Sequence, residues 1–197
     1  EDLFLLVMYN TYRCIGLCWL MMISLAGYGQ QVTKDKIEFV VQPYVQRVEE
    51  STFNVLWETS RPSVGGVWLA EMEYNVVKPN LVLSARESGP SLMHNLEVKG
   101  LKKGEPYLYQ VMSITPQQDT LWGPLTAFTI PDYTRHAVTF TVVGDTQGNP
   151  YVWGKIAGLM YQERPSFIVH VGDLVQYGPH KDDWTDEFFK PAADILK

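Results

Sequence analysis

Two strand-like stretches of the sequence end in the same dipeptide, Gly-Asp. Residues 138–149 read VTFTVVGDTQGN and residues 167–178 read FIVHVGDLVQYG, so the two aspartates are Asp145 and Asp173. Nearly continuous apolar runs of this length are typical of parallel strands covered on both faces. Between them, Asn149 and Pro150 can cap and start a helix, and apolar residues follow at near-helical spacing. The pattern predicts a strand-helix-strand unit with two parallel strands.

Both aspartates are expected to lie at one edge of that sheet. Ligands bind beyond the carboxyl ends of parallel strands, and neighbouring strands are ~4.8 Å apart, so Asp145 and Asp173 can converge on one site. Two nearby carboxylates repel each other unless a cation lies between them or one takes up a proton. A pair of divalent ions ~3.5–4 Å apart would remove that repulsion. The alternative is that each aspartate only caps the helix that follows it.

The preceding region, residues 36–131, has the pattern of an all-β domain. It contains short runs rich in β-branched and aromatic residues, separated by turn signals, which favours a sandwich of two sheets. The runs are IEFVVQPYV, TFNVLWET, GGVWLAEM, HNLEVKG, PYLYQVMSI and LTAFTI. In GLKKGEPYLYQV, the residues Leu101, Gly104 and Tyr107 resemble the tyrosine corner of fibronectin type III domains.

Further on, residues 182–196 predict a helix capped by Asp182 or Asp183.

The paired Gly-Asp stretches resemble the first two motifs of the calcineurin-like metallophosphoesterases. A fibronectin-like sandwich in front of them resembles the arrangement of purple acid phosphatases. The resemblance implies that Asp145 binds one metal ion and that Asp173 bridges two. Gln147 stands where many relatives have a metal-binding histidine, and Tyr177 lies one residue beyond the usual position of the iron-binding tyrosine, so both are further candidate ligands. Asn149 is a candidate contact for the substrate phosphate, although it is also suited to cap the helix.

The fold class expected from these features is a fibronectin III-like sandwich followed by the truncated start of an α/β phosphoesterase domain, residues 132–197. The resemblance implies an acid phosphatase-like hydrolase that cleaves small phosphate esters with metal-bound hydroxide. Its cofactors would be two divalent or trivalent ions, which could be Fe, Zn, Mn or Mg. The later histidine motifs of the family do not occur in the 197 residues, so we expect an N-terminal fragment that is inactive alone. The alternative is a surface binding or adhesion protein with a degenerate, metal-free phosphoesterase-like domain.

The N-terminal residues 1–29 have the pattern of a secretory signal, with a possible true start at Met8. The apolar run at residues 14–26 has 13 residues, fewer than the ~20 that a membrane span requires. The alternative is a buried core helix. A cleaved signal predicts an exported protein, secreted or periplasmic, with no stable membrane span and no cysteine, since Cys14 and Cys18 lie in this segment. A net charge of −6 without a basic cluster argues against nucleic acid as a partner.

Overall fold

The computed structural model describes residues 36–134 and 137–197. The predicted signal region, residues 1–29, lies outside the described residues. Within the described part, no helix combines the length and the apolar character needed to cross a membrane. Residues Ile37–Lys197 form one compact unit.

Seven antiparallel strands form a sandwich of two sheets. In the first sheet, β1 and β4 pair with the first half of β2. In the second sheet, β3 and β5 pair with the second half of β2, and β6 and β7 pair with β5. The strands are β1 (Phe39–Gln46), β2 (Phe53–Glu71), β3 (Val82–Arg86), β4 (Ser91–Val98), β5 (Pro106–Ile114), β6 (Thr120–Trp122) and β7 (Thr126–Thr129).

Strand β2 differs from the sequence prediction, which places two separate strands in this stretch. The structure has one strand of 19 residues that passes from the first sheet into the second. Its pairing with β4 shifts register between Glu58 and Ser63, and pairing with β5 starts at Val64. The Thr59 hydroxyl donates a hydrogen bond to the Arg61 carbonyl at 2.9 Å, which satisfies a backbone acceptor at the corner. The residues that look like a turn signal therefore bend a continuous strand.

The interior of the sandwich follows the alternation of the sequence. Phe53, Val55 and Trp57 are buried, with exposed fractions of at most 2%, and they pack with the core residues of β5. The Tyr107 hydroxyl accepts a hydrogen bond from the Lys102 N–H at 3.0 Å. This contact is the predicted tyrosine corner, which closes the loop before β5.

The remaining part begins with a parallel strand pair, β8 (Phe140–Val143) and β9 (Phe167–His170), connected by helix α1 (Pro150–Gln162). The Asn149 side chain accepts a hydrogen bond from the Val152 N–H at 3.1 Å and caps α1, as predicted. The predicted order, a β-sandwich followed by a strand-helix-strand unit with parallel strands, is confirmed.

Only one face of the β8–β9 pair is covered among the described residues, whereas the sequence predicts two covered faces. The covered side packs against the buried face of α1, including Trp153. On the other side, Phe140 and Val142 of β8 are 53% and 57% exposed. The apolar residues of these strands are suited to burial on both faces, but the described residues cover only one face.

The last helical region starts one position earlier than predicted. Helix α2 (Lys181–Asp183) continues into a π-helical segment (Trp184–Phe189), and His180 occupies the N-cap. The prediction of Asp182 or Asp183 as the cap is wrong, because both residues lie inside α2. The Asp183 side chain accepts the Tyr177 backbone N–H at 3.1 Å. The π-helical segment packs on α1, where the Trp153 indole N–H donates to the Phe188 carbonyl at 3.0 Å.

Candidate metal-binding site

The loops after β8 and β9 are joined by three backbone hydrogen bonds. The Asp145 N–H donates to the Gly172 carbonyl at 3.1 Å. The Thr146 and Gln147 N–H groups both donate to the Asp173 carbonyl, at 3.0 and 3.2 Å. These bonds place the backbones of Asp145 and Asp173 side by side, at the carboxyl edge of the parallel pair. Both side chains are exposed to solvent, so the edge is open to ions and small molecules.

Both aspartates adopt a backbone conformation that residues with a side chain seldom use. The φ angle is 52° at Asp145 and 53° at Asp173, in the left-handed region. Such a conformation costs roughly 1–2 kcal/mol for most residues with a Cβ, and less for aspartate, which tolerates it better. Strain of this kind is maintained only where the surrounding structure enforces it, and it occurs most often at functional sites.

A buried threonine and a histidine support the two loops from behind. The Thr146 hydroxyl donates to the Leu174 carbonyl at 3.1 Å and lies 3.0 Å from His170 Nε2. His170 Nδ1 accepts the Gly172 N–H at 3.3 Å, so we assign the ring proton to Nε2, which donates to Thr146. Burial lowers the pKa of His170, and the negative charge of Asp145 acts in the opposite direction. His170 is therefore a neutral packed residue that holds the loop backbone.

A single carboxylate joins the two loops at a second place. Oε2 of Glu187, in the π-helical segment, accepts the Gln176 N–H at 2.8 Å and the Gly148 N–H at 3.2 Å. No sequence pattern identifies Glu187 or Thr146 as part of the site. Glu187 is one of several acidic residues in its helix, and no local pattern connects it to loops so distant in sequence.

Gln147, the tentative ligand, has a polar atom with no partner. Its Oε1 is buried and has no hydrogen bond among the described atoms. A buried acceptor without a donor is unfavourable, and a metal ion is one group that would satisfy such an oxygen. This observation fits a cation beside the aspartate loops, with Asp145, Asp173 and Gln147 as oxygen ligands. Their roles as metal ligands stay predictions.

The other candidates lie at the rim of the loops. Tyr177 is 57% exposed, and its ring centroid lies 5.3 Å from that of His180. Asn149 caps α1 through its side-chain oxygen, and its contact with a substrate phosphate stays a prediction. Over residues 36–134 and 137–197, no group of three or more His, Cys, Asp or Glu side chains is arranged to hold a metal ion.

Comparisons with known proteins agree with the fold. Residues 138–196 match the calcineurin-like phosphoesterase family, a range that contains both loops and Glu187. A search of curated protein sequences finds no match. The predicted resemblance to the calcineurin-like metallophosphoesterases is confirmed.

Two solved structures share the overall architecture. The purple acid phosphatase PPD1 from seeds of yellow lupin (Lupinus luteus) has a TM-score of 0.61 and 16% identity, with 84% of this chain and 34% of that chain covered. The structure of PhoD has a TM-score of 0.52 and 13% identity, with 82% of this chain and 36% of that chain covered. The chain thus spans about a third of the length of each structure, and the similarity extends over both the sandwich and the parallel strands. The predicted fold class, a fibronectin III-like sandwich followed by the start of an α/β phosphoesterase domain, is confirmed.

Proposed function

Starting from the match of residues 138–196 to the calcineurin-like phosphoesterases, we propose that this chain is part of an exported enzyme that hydrolyses small phosphate esters. Asp145 and Asp173 would hold two divalent or trivalent metal ions, drawn from Fe, Zn, Mn and Mg. One observation carries the proposal: the joined loops hold two strained aspartates next to each other at the open edge of a parallel sheet.

Each residue of the site contributes a distinct property. The carboxylates of Asp145 and Asp173 supply negative charge and hard oxygen ligands, and Gln147 Oε1 supplies a neutral oxygen. His170 and Thr146 fix the loop backbone from the buried side. When bound, the metal ions supply Lewis-acid activation of water and neutralise charge on the phosphate. The exposed rim with Asn149 leaves room for a phosphate ester to approach.

We expect the 197-residue chain alone to bind metal weakly and to be inactive. Two carboxylates and one amide oxygen are fewer ligands than two ions require, and no larger cluster of His, Cys, Asp and Glu occurs in the described part of the chain. Metal binding therefore has to be measured by a method that detects weak complexes. Paramagnetic Mn²⁺ broadens the NMR signals of nearby amides even at low occupancy, and it is our probe.

The test compares Asp173→Asn with wild type during an Mn²⁺ titration. In wild type we expect selective broadening of amides in residues 145–148 and 173–177, and at least tenfold weaker broadening in the variant. Asp186→Asn is the matched control, because this substitution removes the same charge at a different place. The Asp186 carboxylate is exposed and pairs with the Lys190 ammonium group at 2.6 Å. Equal broadening in wild type and Asp173→Asn would overturn the proposal. A lack of broadening at both loops in wild type would favour a metal-free binding protein.

The proposed inactivity has its own measurement. With p-nitrophenyl phosphate and saturating Mn²⁺, we expect turnover by the 197-residue chain to stay at the rate of the buffer blank. Strong metal-dependent turnover by this chain would contradict the incomplete ligand set.

A further inference from the structure

The two aspartate loops are held together at both ends, and the second connection depends on one side chain. Near the strands, backbone bonds from Asp145 and Thr146 join the loops directly. Farther out, no direct backbone bond between the loops is present among the described residues, and the Gly148 and Gln176 N–H groups converge on Oε2 of Glu187. Glu187 therefore sets the separation of the outer parts of the loops.

The backbone that carries Glu187 is firmly anchored. Its neighbour Phe188 is buried, with 9% exposed, and its carbonyl accepts the Trp153 indole N–H at 3.0 Å. The Phe188 ring stacks on Trp153 with centroids 5.7 Å apart, and it meets the His170 ring edge-on at 5.5 Å. The position of the Glu187 carboxylate is thus determined by the apolar cluster between α1 and the parallel strands.

We propose that Glu187 is a positioning residue that holds the Asp145 and Asp173 loops at the spacing required for metal binding. The inference rests on the proposed function. Both aspartates have left-handed φ angles, and Gly148 has a φ of 70°, so the loops can relax if their outer connection is lost. Two amides would then lack their charged acceptor, and the metal-binding oxygens would no longer be held in register. Loss of a hydrogen-bonding group that orients metal ligands typically weakens metal binding about 10–100-fold.

Three variants separate positioning from charge. Glu187→Ala removes the acceptor and should weaken Mn²⁺ binding about tenfold or more. Glu187→Gln keeps an oxygen at the same place without the negative charge, so we expect it to retain most of the affinity. Asp186→Asn removes a negative charge one residue away, where the carboxylate pairs with Lys190, and it should leave Mn²⁺ affinity unchanged. Added formate should restore part of the affinity of Glu187→Ala, because a small carboxylate can bind the two amides in place of the side chain.

Amide hydrogen exchange without metal gives a second, independent readout. Glu187→Ala should accelerate exchange at Gly148 and Gln176, while the amides of the sandwich core exchange as in wild type. The inference is overturned if Glu187→Ala binds Mn²⁺ as wild type does, or if those two amides exchange unchanged. Equal loss of affinity in Glu187→Gln and Glu187→Ala would also overturn it, since charge alone would then explain the effect. If wild type binds no Mn²⁺, the proposed function fails, and the exchange experiment still decides whether Glu187 holds the loops.

Discussion

Replacing Asp145 or Asp173 with glycine should stabilise the metal-free protein, although it removes a predicted metal ligand. Both residues have φ angles near +50°, and a left-handed backbone costs roughly 1–2 kcal/mol for a residue with a Cβ. Aspartate tolerates this region better than most residues, so the lower value applies. Glycine relieves that strain, but it also adds about 0.4–1 kcal/mol of conformational freedom to the unfolded chain. We therefore expect each variant to gain up to about 0.5 kcal/mol in free energy of unfolding.

The asparagine variants separate backbone strain from charge repulsion between the two loops. Asp145→Asn keeps the Cβ and the left-handed backbone, so it relieves repulsion but leaves the strain in place. If strain dominates, Asp145→Gly is more stable than Asp145→Asn in urea unfolding with EDTA. The two sites share hydrogen-bonded loops, so the gains of the two single variants need not add.

Mn²⁺ should reverse the order of stability between wild type and the two glycine variants. A ligand that binds only the folded state stabilises it by RT ln(1 + [L]/Kd), so Mn²⁺ should raise the urea midpoint of wild type. The glycine variants should respond much less. If both glycine variants are destabilised by more than ~1 kcal/mol in EDTA, the reasoning fails, because the aspartate side chains would then stabilise the loops and not strain them.

The remaining predictions concern the sandwich and the histidine behind the loops. Tyr107→Phe should lower the free energy of unfolding by about 1 kcal/mol in urea, because the Lys102 N–H loses its acceptor, and an unchanged value would show that water replaces the hydroxyl. The lowered pKa of His170 means that the folded state binds a proton less readily than the unfolded chain. The contribution of this residue to the stability of the metal-free protein is therefore complete above the ordinary pKa of about 6.5 and is lost as the pH falls below that value. His170→Gln should show a shallower loss of stability between neutral and acidic pH, and an equal slope in both proteins would contradict the assignment.

Much of the fold follows from local patterns in the sequence. The period-two burial of Phe53, Val55 and Trp57, the tyrosine corner at Tyr107 and the cap at Asn149 all depend on residues close together in the chain. A strand-helix-strand pattern also implies that its two strands are parallel, because the crossover returns the chain to the same direction. The sequence therefore predicts that both Gly-Asp pairs lie at one edge of the sheet.

The finer geometry of the site depends on contacts between residues far apart in sequence. Glu187 reaches Gly148 only because Phe188 packs against Trp153 and His170, and no pattern near Glu187 specifies that packing. The continuous strand β2 is likewise a product of pairing with several other strands, which overrides the turn signal in its middle. Local propensities specify most of the elements, but not the continuous course of β2 or the start of α2. Long-range packing specifies how far apart the loops are held, because that distance is the sum of contacts made by several elements at once.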